Sequence, residues 1–485
     1  MYVVVWGHYS LKMIKISGWK LVGNFCQTNL TILREKGGVI DVINKQVECK
    51  VITPIISKGI QFTEEPRFRY KIYDFELRPQ SVKGVLHFWF RAVAPRVIDI
   101  YNLNFNSITN EKQRKQLEKL YAKERCKGLK YLESMIFGSQ NEKAPFGLIV
   151  DYNKSSTGPI GRFEYDKNGK LKFSLNTTNR DSNFQYALYG TYLLAREKKD
   201  ENFVNSWLKA GQTFKLRFFL RNEQVWSVVY SLLKLVCVVS GFGAKITKGF
   251  GQFEIINDKS FMRSQYTNSS QINNLLDQVA SAIKQFIEAF DKQKLIKLGK
   301  SQIQEAFPNL LDNSFVFLGP IVSSGSWEGV MNELYKQSRN APGWYKQLKK
   351  DLRNLNQQKA KMPDAVKNLI ECLNEREKQV EISPAIMGMP LQYQRLKAKI
   401  DKITFYPYVP EESNNRGRKP SPLRIIINRN SQGWAAYGLL LKSKLTNDEK
   451  LVYDVSSKFD AKLTTTFDQL TEKIKKNIEK GGRRH

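Results

Sequence analysis

The sequence predicts an α+β protein whose first folded unit is a ferredoxin-like sheet with helices on one face. Three observations carry that expectation. Between residues 47 and 259 the hydrophobic period alternates in the order strand, helix, strand, strand, helix, strand. The segment Trp226 to Val239 is apolar nearly all round, the mark of a buried helix. At 485 residues and 41% hydrophobic content, the chain is long and apolar enough to bury more than one core.

Residues 1–46 read as an N-terminal extension of small strands with a turn at Gly37-Gly38. Val47 to Ile56 follows as a strand that ends near Thr53-Pro54, because proline removes a ladder donor. Past Ser81, taken as the N-cap, the period becomes helical. Val82, Val85, Leu86, Trp89 and Val93 fall on one face and Gly84, His87 and Arg91 on the other, so Trp89 belongs to the core. Residues 106–132 form a charge-dense surface helix, Phe146 to Asp151 a core strand, and 152–182 a hairpin insertion with turns at Gly158-Pro159 and Asn168-Gly169.

Gln212 to Leu220 and Gln252 to Ile256 supply the remaining strands, which closes a first domain over 47–259. A connecting helix over 260–298 leads to a second domain over 299–485. That domain contains an apolar run at Phe315 to Gly319, a basic helix from Trp344 to Lys361, the segment Pro384 to Pro390, a polar loop from Glu411 to Pro420, a strand from Leu423 to Asn428 and an amphipathic helix near Phe467 to Lys480.

Charge points to the partner. Lysine and arginine number 78 against 46 aspartates and glutamates, a formal charge of +32, far beyond what solubility needs and suited to RNA or DNA. No apolar run approaches the ~18 residues of a spanning helix, so no membrane association is expected. The first residues carry neither a basic leader nor a small-residue cleavage site, and the expected location is cytoplasmic. Cys26, Cys49, Cys126, Cys237 and Cys372 stand singly and read as reduced structural thiols, with no metal or cofactor motif among them. Three histidines leave little room for histidine acid–base chemistry.

Between the buried helix and the last strand lies Gly241-Phe-Gly-Ala-Lys-Ile-Thr-Lys-Gly-Phe-Gly251. Gly241, Gly243, Gly249 and Gly251 would let backbone amides approach a phosphate, and Lys245 and Lys248 would add positive charge. The spacing satisfies neither the Walker nor the dinucleotide pattern. A polyanion, rather than a mononucleotide, is the expected guest.

The run Arg78-Pro-Gln-Ser81-Val-Lys83-Gly84-Val-Leu-His87-Phe-Trp89-Phe-Arg91, with Ile136-Phe-Gly138-Ser139 and the glycine loop, resembles the RAMP superfamily of CRISPR RNA-binding proteins. Within it the run is most similar to the subunit-one family of the type III-B effector, the Cmr complex. Met387 to Pro390 and Arg418 to Leu423 are similar to that family's second RAMP-like domain, whereas residues 1–46 have no counterpart and His87 stands where arginine is common. The resemblance implies two ferredoxin-like domains with helical and loop insertions. It also implies a non-catalytic subunit that binds the 3′ region of CRISPR RNA and helps capture complementary target RNA, beside subunit six and the backbone RAMP subunit. Carried over by position, Arg78, Ser81, Lys83, Gly84, His87 and Arg91 would line one side of the RNA path. Gly241, Gly243, Lys245, Lys248, Gly249 and Gly251 would line the other.

Three other readings compete. A metal-independent CRISPR RNA-processing endoribonuclease would use His87 and Lys83 as acid and base. A metal-dependent nuclease would draw ligands from Asp74, Glu76, Glu133 or Asp151, whose spacing forms no carboxylate cluster. A ribosome- or tRNA-associated basic protein would need only the charge.

Overall fold

The computed structural model describes residues 42–353, 421–442 and 467–482, apart from 141, 170, 178–183, 194–201, 304–308, 339–340 and 431–432. It also describes Met387 and the backbone of short strands at 2–7, 10–15, 34–35, 38–39, 379–381, 391–394, 402–407, 450–453 and 458–462. The segment named at 384–390, Met387 excepted, the loop read at 411–420 and the end of the helix read to Lys361 lie outside the described residues.

The first unit contains β1 (Ile43–Val51), β2 (Ile55–Ser57), β3 (Phe62–Glu65), β4 (Tyr70–Tyr73), α1 (Pro79–Val93), α2 (Glu111–Tyr121), α3 (Lys127–Phe137) and β5 (Phe146–Tyr152). It continues with β6 (Gly161–Tyr165), β7 (Leu171–Leu175), β8 (Tyr192–Leu193), β9 (Asn202–Val204), β10 (Thr213–Leu220), α4 (Glu223–Val239), β11 (Phe253–Ile255) and α5 (Ser269–Phe290). Its main sheet has the order β5-β10-β1-β11, every pair antiparallel. The chain therefore runs β1, α1, β5, β10, α4, β11, which is the predicted alternation. Val47, Cys49 and Val51 of β1 and Phe214, Leu216, Phe218 and Leu220 of β10 are buried at every second position, facing the helices.

The helix faces follow the sequence. Val82, Leu86, Trp89 and Val93 of α1 are buried in one core with Val228, Val229, Leu232 and Val236 of α4, each such aliphatic side chain contributing ~1.5–3 kcal/mol by leaving water. Asn222 caps α4 by accepting from the Val225 amide at 2.8 Å. Three details differ from the sequence reading. Pro79 starts α1, with Arg78 at the N-cap position, so Ser81 lies inside the first turn. Proline lacks an amide hydrogen that the first turn would leave unbonded anyway, and its fixed φ already suits the helix. The single helix read over 106–132 is two, α2 capped by Asn110 and α3 starting at Lys127, broken at 122–126. The Asn168-Gly169 turn joins β6 to β7, whereas Gly158-Pro159 sits in a short strand, Thr157–Pro159.

The helix expected as a connector is α5, and its Ile272, Leu275, Leu276, Val279 and Ile283 are buried in the core that holds α1 and α4. It completes the helical layer of the first unit.

Beyond it come β12 (Phe315–Ser324), α6 (Trp327–Tyr335), α7 (Trp344–Arg353), β13 (Leu423–Asn430), β14 (Gly433–Leu441) and α8 (Phe467–Gly482). The three strands form an antiparallel sheet in the order β12-β14-β13. Phe315, Phe317, Ile426, Tyr437 and Leu439 on one face enter the first core. Leu318, Ile321, Ile425, Ile427 and Leu440 on the other enter a second core with α6, α7 and α8.

A polar seam locks the two units together. The buried Gln252 side chain donates to Ile425 O (2.8 Å) and accepts from the Ile427 amide (2.8 Å), so it pairs with the free edge of β13 as a neighbouring strand would. Arg263, also buried, donates to Cys237 O (2.7 Å), Ile427 O (2.6 Å), Asn428 Oδ1 (3.1 Å) and Gln252 Oε1 (2.7 Å).

Candidate nucleic-acid interface

β2 positions both halves of the candidate site. Ala244 of the glycine loop donates its amide to Ile56 O at 2.7 Å, and the two residues form an isolated antiparallel bridge. One residue further on, Ser57 Oγ donates to Glu76 O at 2.5 Å, and Arg78 Nη2 donates to Lys58 O at 3.1 Å. The beginning of α1 and the loop thus hang on the same short strand. Arg78 and Lys245 flank it, Arg78 exposed at the helix end and Lys245 partly buried in the loop. Ser81 and Gly84, one turn apart, complete the outward side of α1.

The glycines of the loop serve close backbone approach within the chain. Phe242 donates to Gly251 O (2.9 Å) and Gly251 to Pro54 O (2.9 Å), and a Cβ on Gly241 or Gly251 would collide with the facing carbonyl. Gly243 leans on the Ile56 carbonyl in the same way, and Gly249 on the side chains of Ile425 and Ile427 of β13. Gly84 is the opposite case. It lies inside an α-helix, is exposed, and has nothing within 4 Å of where a Cβ would stand. Its glycine costs the helix ~1 kcal/mol relative to alanine, and no contact among the described residues requires it.

Other expected site residues have internal partners. The Arg91 guanidinium grips Glu133 with both Nε and Nη2, the latter at 3.0 Å, so its fork is committed to a carboxylate. His87 Nε2 lies 3.3 Å from the same Glu133 Oε1, and its ring stacks on Phe137 with centroids 4.7 Å apart. Lys83 donates to Phe146 O at 3.1 Å and sits over that residue's ring. Burial pulls the Lys83 ammonium below the usual lysine range. These three therefore line the junction of α1 with α3 and β5.

Lys248 crosses to the second unit. Its ammonium lies 3.4 Å from the centroid of the Tyr345 ring and about 6 Å from those of Tyr186 and Tyr335, while Tyr335 donates to Lys248 O at 3.0 Å. Burial first, then the nearby Lys349 and Lys245 charges, hold Lys248 well below its ordinary pKa, and burial lowers Lys245. An anion beside Lys245 would reverse that penalty, since an opposite charge favours the ionised amine.

Sequence reading missed the role of Glu133, which it held only as a metal ligand. Burial raises the Glu133 pKa, but the hydrogen bonds and charge from His87 and Arg91 outweigh it and hold the carboxyl below its usual value. Stability from this carboxylate is present above the unfolded value near 4.5 and disappears as pH falls through the lower folded value. Glu133→Gln is expected to cost about 1–3 kcal/mol near neutrality. Urea titrations of the two proteins should converge as pH drops below 4.5, and a difference that stays constant down to pH ~3 would refute the assignment.

Among the described residues no three His, Cys, Asp or Glu side chains converge on a metal-sized site, and Asp151 is bonded to Arg217 at 2.6 Å. No helix among them is long and apolar enough to cross a membrane.

Comparison with known proteins agrees with the motif reading. Residues 48–254 match the family model described as RAMPs, RAMP superfamily. No curated protein matches the sequence. Among solved structures, the chain is similar to apo Cmr1 from Pyrococcus furiosus, with 14% identity over 83% of this chain and 88% of that one and a TM-score of 0.41. It is also similar to a chain of the type III-B Cmr-beta complex bound to cognate target RNA and AMPPnP, with 13% identity, coverage of 91% and 100%, and a TM-score of 0.44. A further match is Cmr6 from Pyrococcus furiosus, 12% identical over 44% of this chain and 98% of that one, with a TM-score of 0.23.

Proposed function

We propose that this chain is a non-catalytic RNA-binding subunit of a type III-B CRISPR RNA-guided effector. In this reading it works in the cytoplasm, holds the 3′ region of the CRISPR RNA and helps capture complementary target RNA. Its protein partners are the other Cmr-complex subunits, foremost subunit six and the backbone RAMP subunit. In this reading the second unit is a second ferredoxin-like domain with insertions: β12, α6, β13, β14 and α8 supply strand, helix, strand, strand and helix, with α7 and the short strands at 379–381, 391–394, 402–407, 450–453 and 458–462 interposed, and the sheet order β12-β14-β13 suits that pattern.

The observation that carries the reading is the meeting of the α1 start and the glycine loop on β2, beside an exposed glycine that no contact among the described residues explains. A phosphodiester chain lying over Ser81 and Gly84 meets no Cβ at Gly84 and finds Arg78 and Lys245 at its flanks. Such contacts grip phosphate without reading base edges, which leaves sequence selection to base pairing. The endoribonuclease alternative asks His87 and Lys83 to act on the RNA, yet His87 faces Glu133 and Phe137, and Lys83 is bonded to Phe146.

Gly84→Ala tests the reading in a single variant. It is expected to raise unfolding free energy by about 0.5–1 kcal/mol while weakening RNA binding, with bound RNA recovered intact. A stabilised variant that binds single-stranded RNA as tightly as the parent would sink the proposed groove. RNA cut in a manner that depends on His87 would favour the nuclease.

A further inference from the structure

The strongest unassigned chemistry lies on a different sheet, the four-stranded β8-β9-β4-β3. Its register sets Phe62 opposite Tyr73 and Phe203 opposite Lys71, and the two-residue strand period puts these four on one face. Tyr70, on the reverse face, is buried in the second core. The outer face is open to water: Phe62 is 44% exposed and the neighbouring Ile60 78%. The rings form a row, with centroids 5.6 Å apart for Phe62 and Tyr73 and 6.1 Å for Tyr73 and Phe203.

Each ring has an ammonium over it. Lys58 Nζ is 3.7 Å from the Tyr73 centroid and 5.2 Å from that of Phe203, and Lys71 Nζ is 4.5 Å from that of Phe62. One carboxylate residue, Glu64, stands opposite Lys71 on this face. The row adjoins the start of α1, because the Lys58 carbonyl accepts from Arg78.

We propose that this face is a second RNA-contact surface, a platform on which two or three unpaired bases of single-stranded RNA stack while Lys58, Lys71 and Arg78 take the phosphates between them. The inference rests on the RNA-binding reading above and extends the path from the groove onto the sheet. Aromatic rows beside cations are what non-specific single-strand binding uses, since every base has a π-face and every linkage a charge. The centre of a protein–protein interface is instead depleted of lysine, and a chain of formal charge +32 favours a polyanion. When a base stacks on Tyr73 or Phe62, the displaced ammonium stays on its flexible stem within reach of the adjoining phosphate.

The test titrates the full chain with fluorescein-labelled oligouridine at several salt concentrations. Phe62→Ala should weaken binding about fivefold or more, with an unchanged salt dependence, because a stacking contact releases no counterions. Phe62→Trp should restore affinity. Lys58→Ala should lower the slope of log K against log salt by about 0.7, the value for one phosphate contact on a single strand. Thermal melts show whether each variant is folded.

If the unaltered chain binds no RNA, the RNA-binding reading falls and the platform with it. If the chain binds and Arg78→Glu weakens binding while Phe62→Ala and Phe62→Ala/Phe203→Ala do not, the platform alone is wrong. Variants that keep RNA affinity but lose a companion subunit would make this face a protein contact and overturn the proposal.

Discussion

Arg263→Ala is expected to lower the unfolding free energy by about 3 kcal/mol or more, the largest stability loss of any single substitution in the seam. The guanidinium is buried and reaches four acceptors: the carbonyls of Cys237 and Ile427, Asn428 Oδ1 and Gln252 Oε1. Truncation takes this donor from the Cys237 and Ile427 carbonyls, whereas Gln252 Oε1 keeps the Ile427 amide and Asn428 Oδ1 the Arg429 amide. Each buried acceptor left without a donor costs ~1–3 kcal/mol, offset in part by whatever water enters the cavity. Gln252→Leu should cost less, because it frees only the β13 edge groups Ile425 O and Ile427 N and one donor–acceptor pair with Arg263. Since Arg263 and Gln252 bond to each other, the double variant should lose less than the sum of the two, with a coupling of about 0.5–3 kcal/mol. Urea denaturation measures all three. A loss below ~1 kcal/mol for Arg263→Ala would mean that the two units do not depend on this seam.

The second large effect is on RNA. Arg78→Glu and Lys245→Glu should each weaken binding to single-stranded RNA by about tenfold at moderate salt, because each replaces attraction by repulsion at a partly solvated site. Together they should weaken it by about a hundredfold, and the salt slope should fall by about 1.4, for two lost phosphates. The losses should be alike for RNAs of unrelated sequence. Lys248→Glu is expected to act differently. Its ammonium lies over Tyr345 and among lysines, so the reversal disturbs the contact between the glycine loop and α7 and appears first as lost stability.

The sequence carried the features that depend on local periodicity. The α1 stripe, the buried α4 and the alternation of strands and helices were legible because hydrophobic period and burial are tied to one another residue by residue. The pairing of Arg91 and Lys248 was not legible. Glu133 is 42 residues from Arg91, and Tyr335 is 87 from Lys248, so their closure is a product of the fold. Positive charge is a degenerate signal for the same reason: a lysine that grips phosphate and one held over a tyrosine read alike. The glycines of the loop were legible as close-approach positions, but what approaches them is the chain's own backbone.

The row of Phe62, Tyr73 and Phe203 escaped notice because it is assembled from strands of four residues or fewer, too short to show alternation. Gly84 was legible by motif, and the structure adds the physical point that its missing side chain faces open space.

Hydrogen–deuterium exchange of the full chain, free and with single-stranded RNA, tests the groove most directly. Protection should rise together over residues 55–58, 78–84 and 243–247, the three stretches that meet at β2. Protection confined to other surfaces, with these three exchanging as they do in the free protein, would contradict the account.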